Sequence, residues 1–380
     1  MRVPKGIRSS LVTVAVMAAM ATVATPAFAS TASPIGAPGA SNAVFVQTDN
    51  TAGNRVVAYH RAADGTLSPA GSYATGGRGG ILAGSVVDHT ASQGALAYDP
   101  AHALLYAVNA GSDTVSVFGV RGDRLTLREV LKSGGTFPVS VAVHGDLVYV
   151  LNALGGGNVQ GYKVLGSVLA PLPGSRRALG LDPDQTPQFT STPGQVAFTP
   201  DGSQLIVTTK NNGNDIDVFG VGFGGRLSAR PVMNSEPGTV PFAISFDSSG
   251  HLVIAEAGTN ALATFALSSR GAARLLNEAG TGQAATCWVT PAGPYLFASN
   301  AGSANVSGFI SSAGGALALL GSTGTDPGTV DAAAAAGFLY VQTGGNGIVD
   351  EFSVGTGGSL MKIGSVTVPG AVGGEGIVAS

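Results

Sequence analysis

The sequence predicts an all-β fold: a seven-bladed β-propeller of four-stranded blades, with the ring closed by a C-terminal strand that joins the N-terminal blade. Three observations predict it: a recurring unit, a four-strand pattern inside each unit, and an incomplete first unit matched by an extra strand at the end of the chain. Composition agrees, because 58 of the 380 residues are Gly and only 11% are charged. Long helices favour Ala, Leu, Glu and Lys instead.

The recurring unit is visible in two nearly identical segments, NAGSDTVSVF from Asn109 and NAGSANVSGF from Asn300. Aligned on the aromatic residue that ends the same strand, seven copies follow one another with a basic period of about 44 residues. Two spacings are longer, which indicates insertions. The closing aromatics are Tyr59, Phe118, Tyr162, Phe219, Phe265, Phe309 and Phe352.

Each unit has the pattern of four short strands. A short strand comes first, followed by an apolar run such as LVYVL from Leu147 and a polar Asn/Gly/Ser turn. Next is an alternating strand such as TVSVF, where the period of two puts Val115 and Val117 on one face. A Gly-x-Leu motif then starts the outermost strand. Four strands in about 44 residues, repeated seven times, is the pattern of a propeller.

The two ends of the chain predict how the ring closes. The first unit lacks its innermost strand, because its second strand begins near Ala43. The segment EGIVA from Glu375 matches the innermost strand of the other units. We therefore expect the C-terminus to complete the first blade, which removes the open sheet edges that promote aggregation.

The N-terminal 29 residues have the pattern of a secretory signal peptide. Arg2, Lys5 and Arg8 precede an apolar run over residues 11–23, and Ala27 and Ala29 supply the small residues of a cleavage site. The alternative, a retained membrane anchor, is disfavoured because the run is too short to span a bilayer. We predict cleavage after Ala29, a linker over residues 30–41, a propeller over residues 42–380, and a secreted, extracellular protein.

Charge and cysteine content limit the partners. The formal net charge of −3 gives no electrostatic footprint for nucleic acid or an anionic membrane. The single Cys287 allows no disulfide within the chain and is interpreted as a small buried apolar residue. We predict a monomer without a membrane span or a cofactor, whose partner is a small molecule, a lactone or a carbohydrate-like compound.

Two insertions indicate which face carries the function. They cover residues 73–93 and 173–192, and both connect the outermost strand of one blade to the innermost strand of the next. In a propeller these connections share a face with the turns between the second and third strands. We call this the insertion face and place the ligand there, because loops on a rigid scaffold often carry binding and catalytic residues.

Three residues on this face are candidates for catalysis. Glu256 follows an apolar strand at a position where most other units have Asn or Thr, and it could act as a general base or a polar anchor. Lys210 begins the corresponding turn in TTKNNG, and His89 lies in the first insertion beside Asp88. Each could instead be an ordinary turn or loop residue.

Other polar residues are candidates for ligand binding. Arg176 and Arg177 in the second insertion could clamp an anionic group, or could be a solvated pair. Asp88 could pair with His89. Asp331 interrupts an Ala-rich innermost strand, so its carboxylate would face the central channel, where it could hold water or a metal.

Several motifs are absent from the sequence. There is no Gly-x-Ser-x-Gly, no His-Glu-x-x-His and no zinc spacing of Cys and His. The Asx-rich segment NNGNDID lacks the Gly and final Glu of a calcium loop. We therefore predict no metal, although a metal-dependent lactonase site near Asp331 and Glu375 remains a weaker alternative.

The repeats LLYAVNAGSDTVSVF, AFTPDGSQLIVTTKNNGNDIDVF and PFAISFDSSGHLVIAEAG resemble the lactonase family of seven-bladed propellers, which includes 6-phosphogluconolactonase and carboxymuconate cyclase. The resemblance covers about residues 42 to 380. It implies that Glu256 matches the family glutamate and that Gln195 occupies a ligand position. The motifs around it read Pro193-Gly194-Gln195 and Pro241-Phe242-Ala243, without the family histidine and arginine.

The resemblance and the residues support two hypotheses. The first is an exported lactonase-family hydrolase of an extracellular lactone or ester, with Glu256 as base or anchor and Lys210 and His89 assisting. A phosphorylated sugar lactone is not expected, since the family arginine is missing. The second is a binding or scaffold propeller of the cell surface or medium without catalysis.

Overall fold

The computed structural model describes residues 42–380, which form seven antiparallel sheets arranged as the blades of a ring. Six blades contain four strands each, and blade 3 contains five because its outermost strand is split in two. The strands follow one another in sequence from the axis outward, except that the last strand of the chain is the innermost strand of blade 1. The innermost strands of successive blades contact one another around the ring. The predicted fold class is therefore confirmed. The predicted signal peptide and linker lie outside the described residues. Within residues 42–380, no helix has the length and apolar character needed to cross a membrane.

Blades 1 to 3 are built from the first twelve strands. These are β1 (Ala43–Gln47), β2 (Arg55–Arg61), β3 (Leu67–Ala74), β4 (Leu96–Asp99), β5 (Leu104–Asn109), β6 (Thr114–Arg121), β7 (Arg124–Lys132), β8 (Thr136–His144), β9 (Leu147–Leu154), β10 (Asn158–Leu165), β11 (Val168–Pro171) and β12 (Arg177–Ala178).

Blades 4 and 5 comprise β13 (Val196–Phe198), β14 (Gln204–Thr208), β15 (Asp215–Gly220), β16 (Val232–Ser235), β17 (Pro241–Phe246), β18 (Leu252–Glu256), β19 (Ala261–Leu267) and β20 (Ala273–Gly280). Blades 6 and 7 comprise β21 (Thr286–Ala292), β22 (Tyr295–Asn300), β23 (Asn305–Ser311), β24 (Leu317–Gly324), β25 (Thr329–Ala335), β26 (Phe338–Thr343), β27 (Ile348–Val354) and β28 (Leu360–Thr367). The last strand, β29 (Ile377–Ala379), belongs to blade 1. Two short helices, α1 (Gln188–Ser191) and α2 (Lys210–Gly213), lie in connections, and single 3₁₀ turns cover Ala110–Ser112, Phe223–Gly225 and Thr356–Gly358.

The C-terminal strand closes the ring as the sequence predicts. Strand β29 pairs antiparallel with β1, with Val44 opposite Ala379 and Val46 opposite Ile377. Blade 1 therefore takes its innermost strand from one end of the chain and its other three from the opposite end. This pairing closes the ring and leaves no unpaired edge on the inner side of β1.

The core lies between the blades, because each sheet is covered on both faces by its neighbours. In β6, Val115 and Val117 pack in one apolar cluster with Tyr106 of β5, whereas Phe118 points the other way, into the cluster shared with blade 1. All six residues of β5 are buried for the same reason. The outermost strands alternate between exposed and half-buried residues, as strands with one solvated face do.

The two repeated segments adopt the same turn in blades 2 and 6. The Asn109 side chain donates to Thr114 Oγ1 and Ser116 Oγ over 3.1 and 2.8 Å. The Asn300 side chain donates to the equivalent pair, Asn305 Oδ1 and Ser307 Oγ, over 2.7 and 2.9 Å. The recurring asparagine therefore ties the second strand to the third at the insertion face.

The insertions lie where the sequence places them, with different bounds. The first connection runs over residues 75–95, between β3 and β4. The second lies between β11 and β13, but it contains β12, which pairs with β10 through Asn158 and Val159. The outermost strand of blade 3 is thus split in two, and Arg177 belongs to that strand rather than to a free loop.

Candidate functional site

The first insertion is hydrogen-bonded to blade 6 across the ring and to blade 4 beside it. Gln93 makes two hydrogen bonds with the backbone of Val289, one donated and one accepted, both 3.0 Å long. The Trp288 indole donates to the Ser92 carbonyl over 2.7 Å. On the other side, the Gln93 amide donates to the Gly194 carbonyl of blade 4. These contacts make the insertion a fixed part of the site.

Lys210 joins both insertions to blade 4. Its ammonium donates to the carbonyls of Ala91 and Phe189 over 2.6 and 2.7 Å and to Thr192 Oγ1 over 3.2 Å. The side chain is fully buried, and the ammonium lies 5.1 Å from the centre of the Phe242 ring. Burial lowers the pKa of Lys210 to about 7, against the opposing attraction of Asp88.

Asp88 supplies the negative charge near this lysine and shapes the insertion. Its carboxylate accepts four hydrogen bonds: from the backbone amides of Thr90, Ala91 and Ser92 and from the Thr90 hydroxyl, all between 2.8 and 3.0 Å. Burial raises the pKa of Asp88 to about 6, while these hydrogen bonds and the Lys210 charge act in the opposite direction. Asp88 thus fixes the loop that presents the Ala91 carbonyl to the lysine.

A cavity of about 330 Å³ opens beside these two residues at the insertion face. Its walls come from the first insertion, the second insertion, and blades 4, 5 and 6, and they are mainly apolar. The lining residues include Val87, Phe189, Phe242, Trp288, Lys210 and Asp88. A concave, mainly apolar pocket with a few polar groups is the usual form of a small-molecule site.

Cys287 and Trp288 form the blade 6 wall of this pocket. The Trp288 ring packs edge-on against Phe242, with ring centres 5.2 Å apart. Cys287 is a free thiol and is partly exposed, whereas the sequence suggested a buried residue. Burial within the protein raises the pKa of its thiol to about 12, so the group is a neutral thiol at physiological pH.

A second group of carboxyls lies behind the pocket, where β29 meets the first insertion. Glu375 accepts from the Gly94 amide over 2.9 Å and from Thr90 and Ser92 hydroxyls over 3.2 Å, and its own amide donates to Asp49. Burial raises the pKa of Asp49 and of Asp331 to about 7. Burial, followed by repulsion from Asp331, raises the pKa of Glu375 well above its usual range.

These carboxyls do not form a metal site in the described part of the chain. Among residues 42–380, no group of three or more His, Cys, Asp or Glu side chains has the geometry to hold a metal ion. The amides and hydroxyls that surround Glu375 instead serve as hydrogen-bond donors to it. The cluster holds the ring-closing strand against the first insertion.

Glu256 lies outside the pocket. The neighbouring Ala257 lines the cavity, whereas the Glu256 carboxyl accepts a hydrogen bond from Thr259 over 3.1 Å and is only 2% exposed. Burial, and then repulsion from Glu278 and Glu236, raises its pKa to about 8. The structure therefore does not bring Glu256 together with Lys210 in one site.

His89 and Gln195 also point elsewhere. The His89 ring lies against Gly373 of the loop before β29, and burial lowers its pKa. It does not pair with Asp88, whose oxygens are bonded to backbone amides. The Gln195 side chain accepts a hydrogen bond from the Ile244 amide over 2.5 Å, so it links blade 4 to blade 5. Neither residue lines the pocket.

The two arginines of the second insertion are far from a clamp geometry. Arg177 donates to the backbone carbonyls of Leu227, Ser228, Gly174 and Arg176, all between 2.6 and 2.9 Å. The Arg176 side chain reaches Asn158 over 3.4 Å. Arg177 lies on the outer strand of blade 3, and Arg176 directly precedes it. Of the predicted site residues, only Lys210 and Asp88 line the pocket.

Sequence reasoning did not assign Gln93, Phe189, Phe242 or Trp288 to the site. One signal was available for Trp288: it is the only tryptophan in the chain and lies beside the only cysteine, on an innermost strand. Innermost strands border the channel, so a large side chain on such a strand is expected to pack close to the channel. No comparable signal marks Gln93, whose partner Val289 is remote in sequence.

Comparison with known proteins identifies the family of this fold. The model of the family described as lactonase, 7-bladed beta-propeller, matches residues 85–373, most of the chain. No curated protein matches the sequence.

Solved structures show the same fold at low sequence identity. A Bacteroides uniformis protein assigned as a 6-phosphogluconolactonase is 18% identical, with a TM-score of 0.71, covering 87% of this chain and 97% of that one. A periplasmic gluconolactonase of Pseudomonas aeruginosa is 17% identical, with a TM-score of 0.70, covering 88% and 98%. Virginiamycin B lyase of Staphylococcus aureus is 13% identical, with a TM-score of 0.52, covering 75% and 87%. At these identities the likeness concerns the fold.

Proposed function

Because this chain belongs to the lactonase family of seven-bladed β-propellers, we propose that it binds a lactone or a related ester in the insertion-face pocket and hydrolyses it. The observation that carries the proposal is the pocket itself. It measures about 330 Å³, lies at the face where both insertions meet, and has a buried Lys210 in its wall. Pockets of small-molecule enzymes commonly combine apolar walls with one or two charged groups.

The charge of Lys210 in the pocket wall supports ester hydrolysis electrostatically. Hydrolysis of a lactone places negative charge on the carbonyl oxygen in the transition state, and a nearby fixed cation stabilises that charge most where water is excluded. Lys210 is such a cation, and its pKa of about 7 keeps part of the population charged at neutral pH. Its three donors are already bonded to the chain, so its part is electrostatic rather than a direct hydrogen bond.

A phosphorylated substrate is not part of the proposal. Phosphate recognition favours the planar, bidentate arginine side chain. No arginine is among the residues that line the pocket, since Arg176 donates to Asn158 and Arg177 donates to the Leu227 carbonyl.

Export is the second component of the proposal. The basic start, apolar run and small residues before Ser30 support a cleaved signal peptide, so the substrate would be an extracellular compound. N-terminal sequencing of the protein from the culture medium of its host should begin at Ser30. A protein that stays in the cell with its first residues intact would refute this component.

A hydrolysis assay on purified protein tests the enzymatic component. A panel of simple, sugar-derived and phosphorylated lactones is assayed beside Lys210→Met, His89→Gln and Glu256→Gln. We expect turnover of at least one unphosphorylated lactone, a loss of tenfold or more in Lys210→Met, and full activity in Glu256→Gln and His89→Gln, whose side chains lie outside the pocket. Loss of turnover in Glu256→Gln with an intact fold would place catalysis outside this pocket.

One observation favours a second candidate, ligand binding without catalysis. The donors of Lys210 and the oxygens of Asp88 are committed to the chain, and Cys287 is held as a neutral thiol. A general base that reaches the substrate is therefore absent from the charged residues of this wall. Saturable binding of a lactone that is recovered unchanged after prolonged incubation would establish this candidate.

A further inference from the structure

We propose that the pocket selects an uncharged lactone with an alkyl or aryl substituent and discriminates against polyhydroxylated and anionic lactones. This inference rests on the proposed function for the lactone group itself. It adds the substrate class, and the selectivity follows from the walls whether or not the bound compound is hydrolysed.

The walls present large apolar surfaces from four separate segments. Val87 comes from the first insertion, Phe189 from the second, Phe242 from blade 5 and Trp288 from blade 6. The cavity of about 330 Å³ lies at the small end of the range for ligand sites, ~300–1,000 Å³. A compact ring with a short apolar chain matches this volume, and its burial against the aromatic rings is favourable.

The polar side chains that line the pocket have partners within the protein. Ser85 Oγ donates to the Asp88 carbonyl, and Thr190 Oγ1 donates to the Pro187 carbonyl over 3.2 Å. Lys210 uses three donors and Asp88 accepts four hydrogen bonds. The hydroxyls of a sugar lactone would lose their water and find few replacements, which disfavours such a ligand.

Charge also argues against an anion. The Asp88 carboxylate offsets part of the Lys210 charge, and its attraction opposes the lowering of the lysine pKa by burial. Since the lysine has no donor left, a carboxylate or phosphate in the pocket would gain no charge-assisted hydrogen bond from it. It would also approach the Asp88 charge. An uncharged ligand avoids both penalties.

The protein contains two reporters for this pocket. Trp288 is the only tryptophan and Cys287 the only cysteine of the chain, and both line the cavity. Tryptophan fluorescence and the rate of thiol labelling therefore each measure occupancy of this one place. If Trp288 fluorescence and the rate of Cys287 labelling change together, the ligand occupies the pocket and the fluorescence change is not an optical artefact.

The experiment is a titration of the full mature protein, with both signals recorded. The probes are δ-decalactone, δ-valerolactone, glucono-1,5-lactone and its 6-phosphate. We expect saturable fluorescence changes and slower Cys287 labelling with δ-decalactone, at a Kd at least tenfold lower than that of δ-valerolactone. We expect Kd values at least tenfold higher again for the two sugar lactones. Turnover of each probe is measured in the same samples.

A matched pair of variants locates the binding site. Phe189→Ala removes an apolar wall and should raise the Kd for δ-decalactone by fivefold or more. Phe223→Ala is the control, because Phe223 is fully exposed in a turn of blade 4 outside the pocket. If Phe189→Ala does not fold, the Kd values of the four lactones for the unmodified protein still test the selectivity.

The outcomes separate this inference from the proposed function. Tighter binding of glucono-1,5-lactone or its 6-phosphate, with turnover, would overturn the selectivity and leave the hydrolase standing. Binding of δ-decalactone without turnover would support the selectivity and refute hydrolysis of that compound. Turnover without any change at Trp288 or Cys287 would overturn the inference, because the reaction would then occur outside this pocket.

Discussion

The indole nitrogen of Trp288 donates a hydrogen bond to the backbone carbonyl of Ser92 over 2.7 Å, which joins the innermost strand of blade 6 to the first insertion across the ring. The Ala91 carbonyl of the same insertion accepts a hydrogen bond from the ammonium of Lys210 in blade 4. The pocket is therefore bounded by a loop held from two sides. A loop fixed in this way presents a preformed surface, so a ligand does not have to order it on binding.

Gln93→Leu should loosen the first insertion. Leucine has a similar size but cannot make the two hydrogen bonds to Val289, so a buried amide and carbonyl lose their partner. We expect a loss of about 1–3 kcal/mol in the free energy of unfolding, and faster amide hydrogen exchange in residues 82–92. Denaturant unfolding and hydrogen exchange by mass spectrometry measure these effects. Gln185→Leu in the second insertion is the control, and equal stability of both variants would contradict the expectation.

Lys210→Met should destabilise both insertions. Methionine fills much of the same space, but the carbonyls of Ala91 and Phe189 lose their donor and the Asp88 charge loses its compensation. Leaving a buried acceptor without its donor typically costs about 1–3 kcal/mol, and more where a charged donor is lost. The measurement is denaturant unfolding, with hydrogen exchange over residues 82–92 and 187–192.

Lys163→Met is the matched control for this substitution, because Lys163 is an exposed lysine on β10. It should change the free energy of unfolding by less than about 0.5 kcal/mol. Similar losses in the two variants would show that the hydrogen bonds of Lys210 do not hold the insertions.

Asp331→Asn should remove part of the pH dependence of stability between about pH 4 and pH 7. Burial raises the pKa of Asp331 from 3.8 to about 7, so the folded protein keeps a proton that the unfolded chain releases. The Asp331 carboxyl therefore lowers the free energy of unfolding progressively as the pH rises through this window. Asparagine has no proton to lose. We expect the variant to gain on the order of 3 kcal/mol over the wild type between pH 4 and pH 7.

Neighbouring groups do not reverse this sign. Asp49, Asp88 and Glu375 also have raised pKa values and weaken the fold in the same direction. Lys210 acts only above about pH 7, because its pKa is about 7 in the folded protein. Above that pH the folded protein loses the lysine proton while the unfolded chain keeps it, so this group makes the stability rise with pH. Thermal unfolding at a series of pH values measures the difference, with exposed Asp184→Asn as control. Parallel curves for wild type and Asp331→Asn would contradict the assignment.

Glu256→Gln should leave ligand binding and turnover unchanged. The Glu256 carboxyl accepts a hydrogen bond from Thr259 and is repelled by two other glutamates, and Glu256 does not line the cavity. Because its pKa is raised to about 8, the group is mostly a neutral acid at pH 7, which glutamine resembles in shape and polarity. Tryptophan fluorescence titration and the lactone assay measure the effect. A tenfold loss of turnover at unchanged stability would reinstate Glu256 as a catalytic residue.

The architecture was readable from the sequence because propeller blades are specified locally. Alternation such as that of Val115 and Val117 gives each strand its two buried faces, and the repeated Asn109 and Asn300 mark the same turn in two blades. The ring closure followed from counting strands, since the first unit lacks one and the segment after Glu375 supplies it. Each of these patterns is contained in a few neighbouring residues or in their repetition.

The pocket depended on contacts that no short pattern contains. Glu256 and Ala257 are adjacent, yet one side chain is buried near other glutamates and the other lines the cavity, because Glu256 ends β18 and Ala257 begins the turn that follows it. The sequence by itself determined the seven blades, their closure and the face that carries the insertions. Only the tertiary structure decided that Lys210, Asp88, Phe189 and Trp288 meet there, since their juxtaposition arises from the path of two long loops across the ring.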